Sequence, residues 1–426
     1  MAISQPRGVR DFGPGEAIAR EKITAVIEET YKRFGFSPLE TPGVELLDVL
    51  SAKAYGEETS KQIYKIDDDD SGLRFDLTIP MARYVAMNGN MPLPFRRYQI
   101  GQVWRRDEPQ KMRYREFTQA DVDVIGSGSV ESDAEVIAAP AQAIEELGIK
   151  DFAIELNSRV FLDKILASFK VPQERSAAVI RAIDKLQKIG RDAVTEQIAK
   201  LGVPQRDSEK LLEFLLEGGD NSQRLESVAA NIEGTKEEVE KARRLLELLS
   251  NYGVEENVSL QLSLARGLDY YTGFVWEYIA MQGTTRLPSV GSGGRYDNLI
   301  GIYARKGMPA VGSSIGIDRI YDLISGNPVI NTYSKLFIAC IGQENYAYAL
   351  GMASRARGAG IYTDINIMER SLSKQLEYAN ALKVRYAMII GPQEVRDKSV
   401  KLRDLVSGEE VALTADEAIE KINKGD

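Results

Sequence analysis

Residues 95 to 125 constrain the fold of this chain more than any other stretch. FRRYQIGQVWRRD reads as one strand, EPQKMRYRE as a long basic loop, and FTQADVDVIG as the returning strand of a hairpin. Side chains alternate between the two faces of a strand, so Ala120, Val122 and Val124 share one face. Gln119, Asp121 and Asp123 share the other. The apolar row asks for a core. The polar row has two readings: a solvated face, or the wall of a cleft that recognises a cationic or amine-bearing ligand.

The surroundings of the hairpin mix strand and helix. Residues 17 to 34 have helical periodicity, with Ile18, Ile23, Val26 and Ile27 on one side. Pro38 and Pro42 in GFSPLETPGVE forbid continuation of that helix and favour an extended segment. QIYKIDDDDSGLRFDLT predicts two strands around an acidic turn, and Asp67 to Asp70 read as a solvated turn rather than a metal site. From about 158 to 250 the pattern is purely helical, and strands resume at 258. SVGSGGRYDNLIG is glycine-rich without the order of a dinucleotide-binding loop. AVGSSIGIDRIYDLI predicts a small-residue strand leading into a helix. After residue 331, β-α-β-α-β alternation implies a parallel sheet covered by helices.

Composition then excludes whole classes of chemistry. A chain of 426 residues is too long for one ordinary core, so two to four domains are expected. It contains no histidine, which removes Ser-His-Asp catalysis, His-ligated zinc and imidazole bases together. Acid–base and electrostatic work falls to Asp, Glu, Lys, Arg and Tyr. A metal would be a hard cation held by oxygens, such as Mg²⁺ arriving with a nucleotide. The single cysteine, Cys340, allows no internal disulfide and suits a reducing cytosol. The N-terminus has no apolar signal region and no segment is apolar for long enough to span a bilayer, so a cytoplasmic location is expected. A net charge of −9 argues against a surface coated for nucleic acid, though not against a local basic stripe.

LARGLDYYTGFVWEY, residues 264 to 278, sets a polar cluster at the mouth of an apolar strand. Arg266 and Asp269 would pair in a turn and Tyr270 and Tyr271 would pack, unless the cluster belongs to a site. The rest of the chain decides between these. PRGVRDFGP, PLETPGVE, VWRRDEPQKMRYREFTQADVDVIG, RGLDYY with GGRYD, and SIGIDRI occur in that order. Together they resemble the class II aminoacyl-tRNA synthetases, and among them the histidyl-tRNA synthetase family, over nearly the whole chain. PLETPGVE is similar to motif 1, a dimer element, so the resemblance implies a homodimer. The 95–125 hairpin is similar to motif 2, which binds ATP. SIGIDRI stands where motif 3 usually reads GIGIDRI.

The resemblance implies an α+β fold: an antiparallel sheet core flanked by helices in residues 1–157 and 256–330, an all-α insertion at 158–255, and an α/β anticodon-binding-like domain at 331–426. It implies that L-histidine and ATP, with Mg²⁺, form histidyl-adenylate and that the acyl group passes to tRNA(His). Arg266 and Arg105 would stabilise the α-phosphate, with Arg113 and Arg319 also on ATP. Asp76, Thr78 and Gln119 would hold the α-amino group of histidine. Asp123, Tyr270 and Tyr271 would face its imidazole. Gln110, Lys111 and Arg115 fall near the expected tRNA acceptor end, and Arg113 and Arg115 face either that end or ATP. The family usually has glutamate at the positions of Asp76 and Asp123, and glutamate is also common at that of Asp318, which reshapes the pocket by about one methylene. The alternative is a non-aminoacylating paralogue that serves as a regulatory subunit or tRNA sensor; Arg105, Arg266, Arg319 and the α/β tail weigh against it.

Overall fold

In the computed structural model, the 95–125 hairpin lies inside an eight-stranded sheet. The structure describes residues 3–50, 59–67, 70–265, 270–283, 285–304, 306–324 and 331–424. The chain divides into two compact units, Met1–Arg10 with Ile23–Ile324 and Asp11–Lys22 with Ser325–Asp426.

The helix Pro14–Arg33 is set by its ends: proline leads, Glu16 Oε2 accepts from the Gly13 amide at 2.8 Å, and Lys32 and Arg33 occupy the last turn. Gly35, at φ +77°, stops it where a side chain would be strained. Ile18, Ile23 and Ile27 are buried as the periodicity predicts, with Val26 partly so.

The first unit contains β1 (Ser37–Pro38), β2 (Val44–Leu46), β3 (Lys65–Ile66), β4 (Ser71–Leu73), β5 (Phe95–Trp104) and β6 (Glu116–Ile125). It continues with β7 (Phe152–Ser158), β8 (Val258–Leu260), β9 (Phe274–Gln282), β10 (Thr285–Arg295) and β11 (Ala310–Gly316). The large sheet runs β1-β5-β6-β11-β10-β9-β7-β8, and β2-β4-β3 form a small separate sheet. Every neighbour from β5 to β7 is antiparallel, while β1 and β8 add parallel edges. β3 and β4 pair around the acidic turn, of which Asp68 and Asp69 lie outside the described residues.

Ala120, Val122 and Val124 are buried. On the same face, Tyr278 donates to the carbonyl of Ile137, in the helix Val130–Glu146 that covers it. The opposite face carries a polar row. Cross-strand register aligns Gln99, Asp121, Ser314, Ser292, Glu277 and Glu155 across six strands. Sequence alternation supplies each member; only the register puts them in line.

Helices fill residues 159–251, between β7 and β8. The last, Lys236–Asn251, packs on Val130–Glu146, with Arg244 against Glu131 at 3.4 Å. Its buried Glu238 accepts from Ser158 at the end of β7.

The second unit contains β12 (Leu336–Cys340), β13 (Thr363–Ile365), β14 (Tyr386–Ile390), β15 (Val400–Asp404) and β16 (Glu410–Leu413), in the order β13-β12-β14-β15-β16. The first three positions in that order are parallel, as the alternation implies. β15 and β16 are antiparallel, so the sheet is mixed. Gly408 at φ +79° supports the turn between them. Leu336, Ile338 and Met388 face the helices Tyr346–Gly358 and Ala415–Lys424, while Phe337 and Ile389 face Ala379 and Val384 on the other side. No helix among the described residues is long and apolar enough to cross a membrane.

Ile137 is fully buried. Ile137→Ala should lower unfolding stability by about 2–5 kcal/mol, read as a lower urea midpoint at unchanged slope.

Candidate active site

The polar row floors a cavity of about 380 Å³ lined by Asp76, Gln119, Asp121, Asp123, Tyr271 and Tyr296, among others. Beside it lies a second cavity of about 390 Å³, reaching Arg319 and the glycine-rich part of β10. Arg105, Arg113, Gln119 and Ser314 line both, so the two compartments share a wall.

Asp123 anchors the first compartment. Its Oδ2 lies 2.7 Å from Nη2 of Arg97, and neither side chain has meaningful solvent exposure. Tyr296 donates its hydroxyl to Asp123 Oδ1. Glycine at 312 makes room for this: a Cβ there would stand 1.9 Å from Asp123 Oδ1. Gly294 plays the same part for Tyr271, whose ring would lie 2.6 Å from an added Cβ. Tyr270, Tyr271 and Tyr296 form a cluster with ring centroids 5.0 to 6.4 Å apart.

Asp76 Oδ1 accepts the backbone amides of Thr78 and Ile79 at 3.1 and 3.0 Å, satisfying the first amides of the helix Thr78–Met87 from the residue before its N-cap, Leu77. This fixes Asp76 and Thr78 on the cavity rim. Asp121 is buried, and its Oδ1 has no hydrogen-bond partner among the described residues. Burial pushes its carboxyl up to about 7, against the pull of Arg97 and with a further push from Asp123. Burial also raises Asp123, again opposed by Arg97. Three carboxylates, one buried guanidinium and three phenol rings suit a flat ligand with N–H donors and a positive charge.

The shared wall is built differently. Arg105 follows β5 and lies between aromatic rings, 4.3 Å from the Phe75 centroid and 4.9 Å from that of Phe117. It donates to the Phe75 carbonyl at 3.1 Å and to Gln119 Oε1 at 3.2 Å, and Gln119 donates onward to Ser314. Arg319 donates to the carbonyls of Met112 at 3.1 Å and Ser289 at 2.6 Å. Arg113 pairs with Asp107 at 2.8 Å. Guanidinium groups fixed in this way present forks suited to phosphate oxygens.

The expected residues Asp76, Thr78, Gln119, Asp123, Tyr270, Tyr271, Arg105 and Arg113 therefore line one cavity, with Arg319 in its neighbour. Arg266 and Asp269 lie outside the described residues. Gln110, Lys111 and Arg113 are exposed at the loop tip. Arg115 instead turns its guanidinium to the carbonyls of Asp107 and Arg7. Arg97, Tyr296 and Glu277 were not anticipated as site residues, and Asp121 only as a member of the polar row. Alternation puts Asp121 beside Asp123, but pairing Arg97 with Asp123 requires the β5–β6 register. Arg181 and Asp184, at the end of helix Gln173–Ile183 and just beyond it, also line the first cavity.

Residues 8–320 match the family described as histidyl-tRNA synthetase, and residues 335–425 match the anticodon binding domain. The chain is 37% identical to the histidine–tRNA ligase of Aeropyrum pernix, over 98% of this chain and 97% of that one. It is 38% identical to the histidine–tRNA ligase of Korarchaeum cryptofilum, over 95% of each. The crystal structure of histidyl-tRNA synthetase from Nostoc sp. PCC 7120 covers 100% of both chains with a TM-score of 0.86 at 30% identity.

Asp121 gives a pH prediction. Its folded form holds the proton more tightly than an ordinary carboxyl near 3.8, so stability is lost as pH rises from about 4 through 7. Asp121→Asn removes that loss. The variant's thermal midpoint relative to the parent should therefore be higher at pH 8 than at pH 5; a pH-independent difference would contradict the assignment.

Proposed function

Because the chain belongs to the histidyl-tRNA synthetase family, we propose that the paired cavities activate histidine with ATP, the acyl group then passing to tRNA(His). The observation that carries this reading is the shared wall, where Arg105 and Gln119 touch both compartments.

The imidazole lies among Tyr271, Tyr296 and Asp123, with Tyr270 behind. Asp76, Thr78 and Gln119 receive the α-amino group. This places the histidine carboxylate at the wall and the α-phosphate of ATP opposite. A carboxylate oxygen attacks the α-phosphorus, the bond to the bridging oxygen breaks, and pyrophosphate leaves. Arg105 stabilises the charge developing on the α-phosphate, and Arg266 is assigned the same task on the strength of the family motif. Arg113 and Arg319 hold the outer phosphates. The protein's contribution is alignment and charge stabilisation. Mg²⁺ comes with the nucleotide, whose phosphate oxygens supply ligands and whose charge it offsets. A terminal ribose hydroxyl of tRNA then attacks the acyl carbonyl and AMP leaves.

Hydrogen-bonding the imidazole gives selectivity without editing, because a ligand lacking those groups forfeits the bonds the buried site offers; such sites discriminate by roughly 10⁴–10⁵. The exposed loop tip at Gln110 and Lys111 faces the acceptor end, and the unit containing residues 335–425 takes the anticodon. The expected location is the cytoplasm. A homodimer fits the small β2-β4-β3 sheet, which exposes Val44, Leu46 and Ile66.

ATP–pyrophosphate exchange should occur with histidine alone among the amino acids. Asp123→Asn should lower kcat/KM for histidine by about 10- to 150-fold, as for a lost hydrogen bond to a charged group, with KM for ATP nearly unchanged. Exchange with no amino acid, or equal losses for both substrates, would refute the reading. Light scattering should give twice the chain mass, and Leu46→Asp should shift it toward the monomer; a monomeric parent would refute the dimer.

A further inference from the structure

The segment before the first helix lies along the β5–β6 loop. The Arg115 amide donates to the Gly8 carbonyl at 2.7 Å. Gly8 sits at φ +88°, and a Cβ there would be 2.6 Å from Pro109 Cγ and 2.9 Å from Arg115 Cγ. Glycine suits both the left-handed backbone and the close packing of those two side chains.

Two residues on, Arg10 reaches three groups on two other elements. Its Nη1 donates to Asp322 Oδ1 at 2.8 Å and to the Tyr114 hydroxyl at 2.9 Å, and its Nη2 donates to Asp318 Oδ1 at 3.2 Å. The guanidinium carbon stands 4.0 Å from the Tyr114 ring centroid. Tyr114 donates to Asp322 Oδ2 at 2.7 Å, and Asp318 Oδ2 accepts the Thr118 amide at 2.7 Å. Burial would lower Arg10, but its hydrogen bond and charge interaction with Asp322, joined by Asp318, outweigh it and hold the guanidinium above its usual range. The helix Ile317–Ile324 that carries both aspartates also carries Arg319.

We propose that residues 7–10 are a strap that fixes the β5–β6 loop to the Ile317–Ile324 helix, making Arg10 a positioning residue for the nucleotide half of the site. This rests on the reading that ATP occupies the second cavity. Arg113 belongs to the loop and Arg319 to the helix, so their separation depends on what joins the two elements. Arg10 itself lines neither cavity. The side chains assigned to histidine stand on β6, at Asp76 and Thr78 and in the tyrosine cluster; of the strapped loop only Asp107 and Arg113 reach that cavity, and Arg113 is assigned to phosphate. The strap therefore acts chiefly on the nucleotide. Misplacement of binding groups by about 1 Å can cost on the order of 100-fold.

The test uses the full-length parent, Arg10→Ala, Arg10→Lys, Tyr114→Phe and Gly8→Ala. Histidine-dependent ATP–pyrophosphate exchange should show KM for ATP raised about 10- to 100-fold in Arg10→Ala, with KM for histidine within about twofold. Arg10→Lys should recover only part, because an ammonium lacks the planar fork. Tyr114→Phe keeps the ring and should fall between the parent and Arg10→Ala. Amide hydrogen exchange, which needs no activity, should be faster over residues 107–115 in Gly8→Ala and Arg10→Ala and unchanged over β6. KM values for both substrates rising together, or unchanged kinetics with unchanged loop exchange, would overturn the proposal. A parent with no histidine-dependent exchange would refute the function instead, leaving the strap to stand or fall on the hydrogen-exchange result.

Discussion

The Arg97–Asp123 pair is the constraint on which the rest of the site depends. Removing both charges from water costs several kcal/mol per ion, and mutual attraction offsets this only with good geometry and further hydrogen bonds. Here the offset is incomplete, since Arg97 Nε and Nη1 have no hydrogen-bond partner among the described residues. Such a pair is a poor stability device. Its effect is positional: Arg97 comes from β5, Asp123 from β6, the space for Asp123 from Gly312 on β11, and the Tyr296 hydroxyl from the end of β10. Four stretches of chain converge on one carboxylate and hold it in place from within the protein.

That floor separates two chemistries a short distance apart. One side gathers Asp76, Asp121, Asp123 and the tyrosine cluster, and the other adds Arg319 to the shared Arg105 and Arg113. A net charge of −9 describes neither. Local fields decide what each compartment accepts, and low-dielectric walls strengthen them. With no histidine in the chain, the site relies on fixed guanidinium groups rather than a titrating imidazole. Proton transfer by the protein has little part in such a reaction, so the missing residue type removes nothing the chemistry needs.

Much of this was legible in the sequence. The 95–125 hairpin and its alternating faces follow from period and turn residues, and the ordered motifs named the family. Asp76, Gln119 and Asp123 were found through those motifs. What escaped depends on register and on distance along the chain. Ser314 and Glu277 join Asp121 only because β11, β10 and β9 pair in one alignment. Arg97 is one of two adjacent arginines, and nothing local says which is buried. Arg10 bonds partners 104 to 312 positions away, a relation no local pattern encodes. The β15–β16 hairpin passed unread because short strands of charged and apolar residues resemble loop.

The central claim is that one bound molecule spans both compartments, with its imidazole against Asp123 and its phosphate against Arg105. A crystal structure with a non-hydrolysable histidyl-adenylate analogue tests this most directly. The account predicts an imidazole nitrogen within hydrogen-bonding distance of Asp123 and a phosphate or phosphate-mimic oxygen within reach of Arg105, the analogue crossing the wall at Gln119. An imidazole seated in the cavity of Arg319, or an analogue bound elsewhere on the chain, would contradict it.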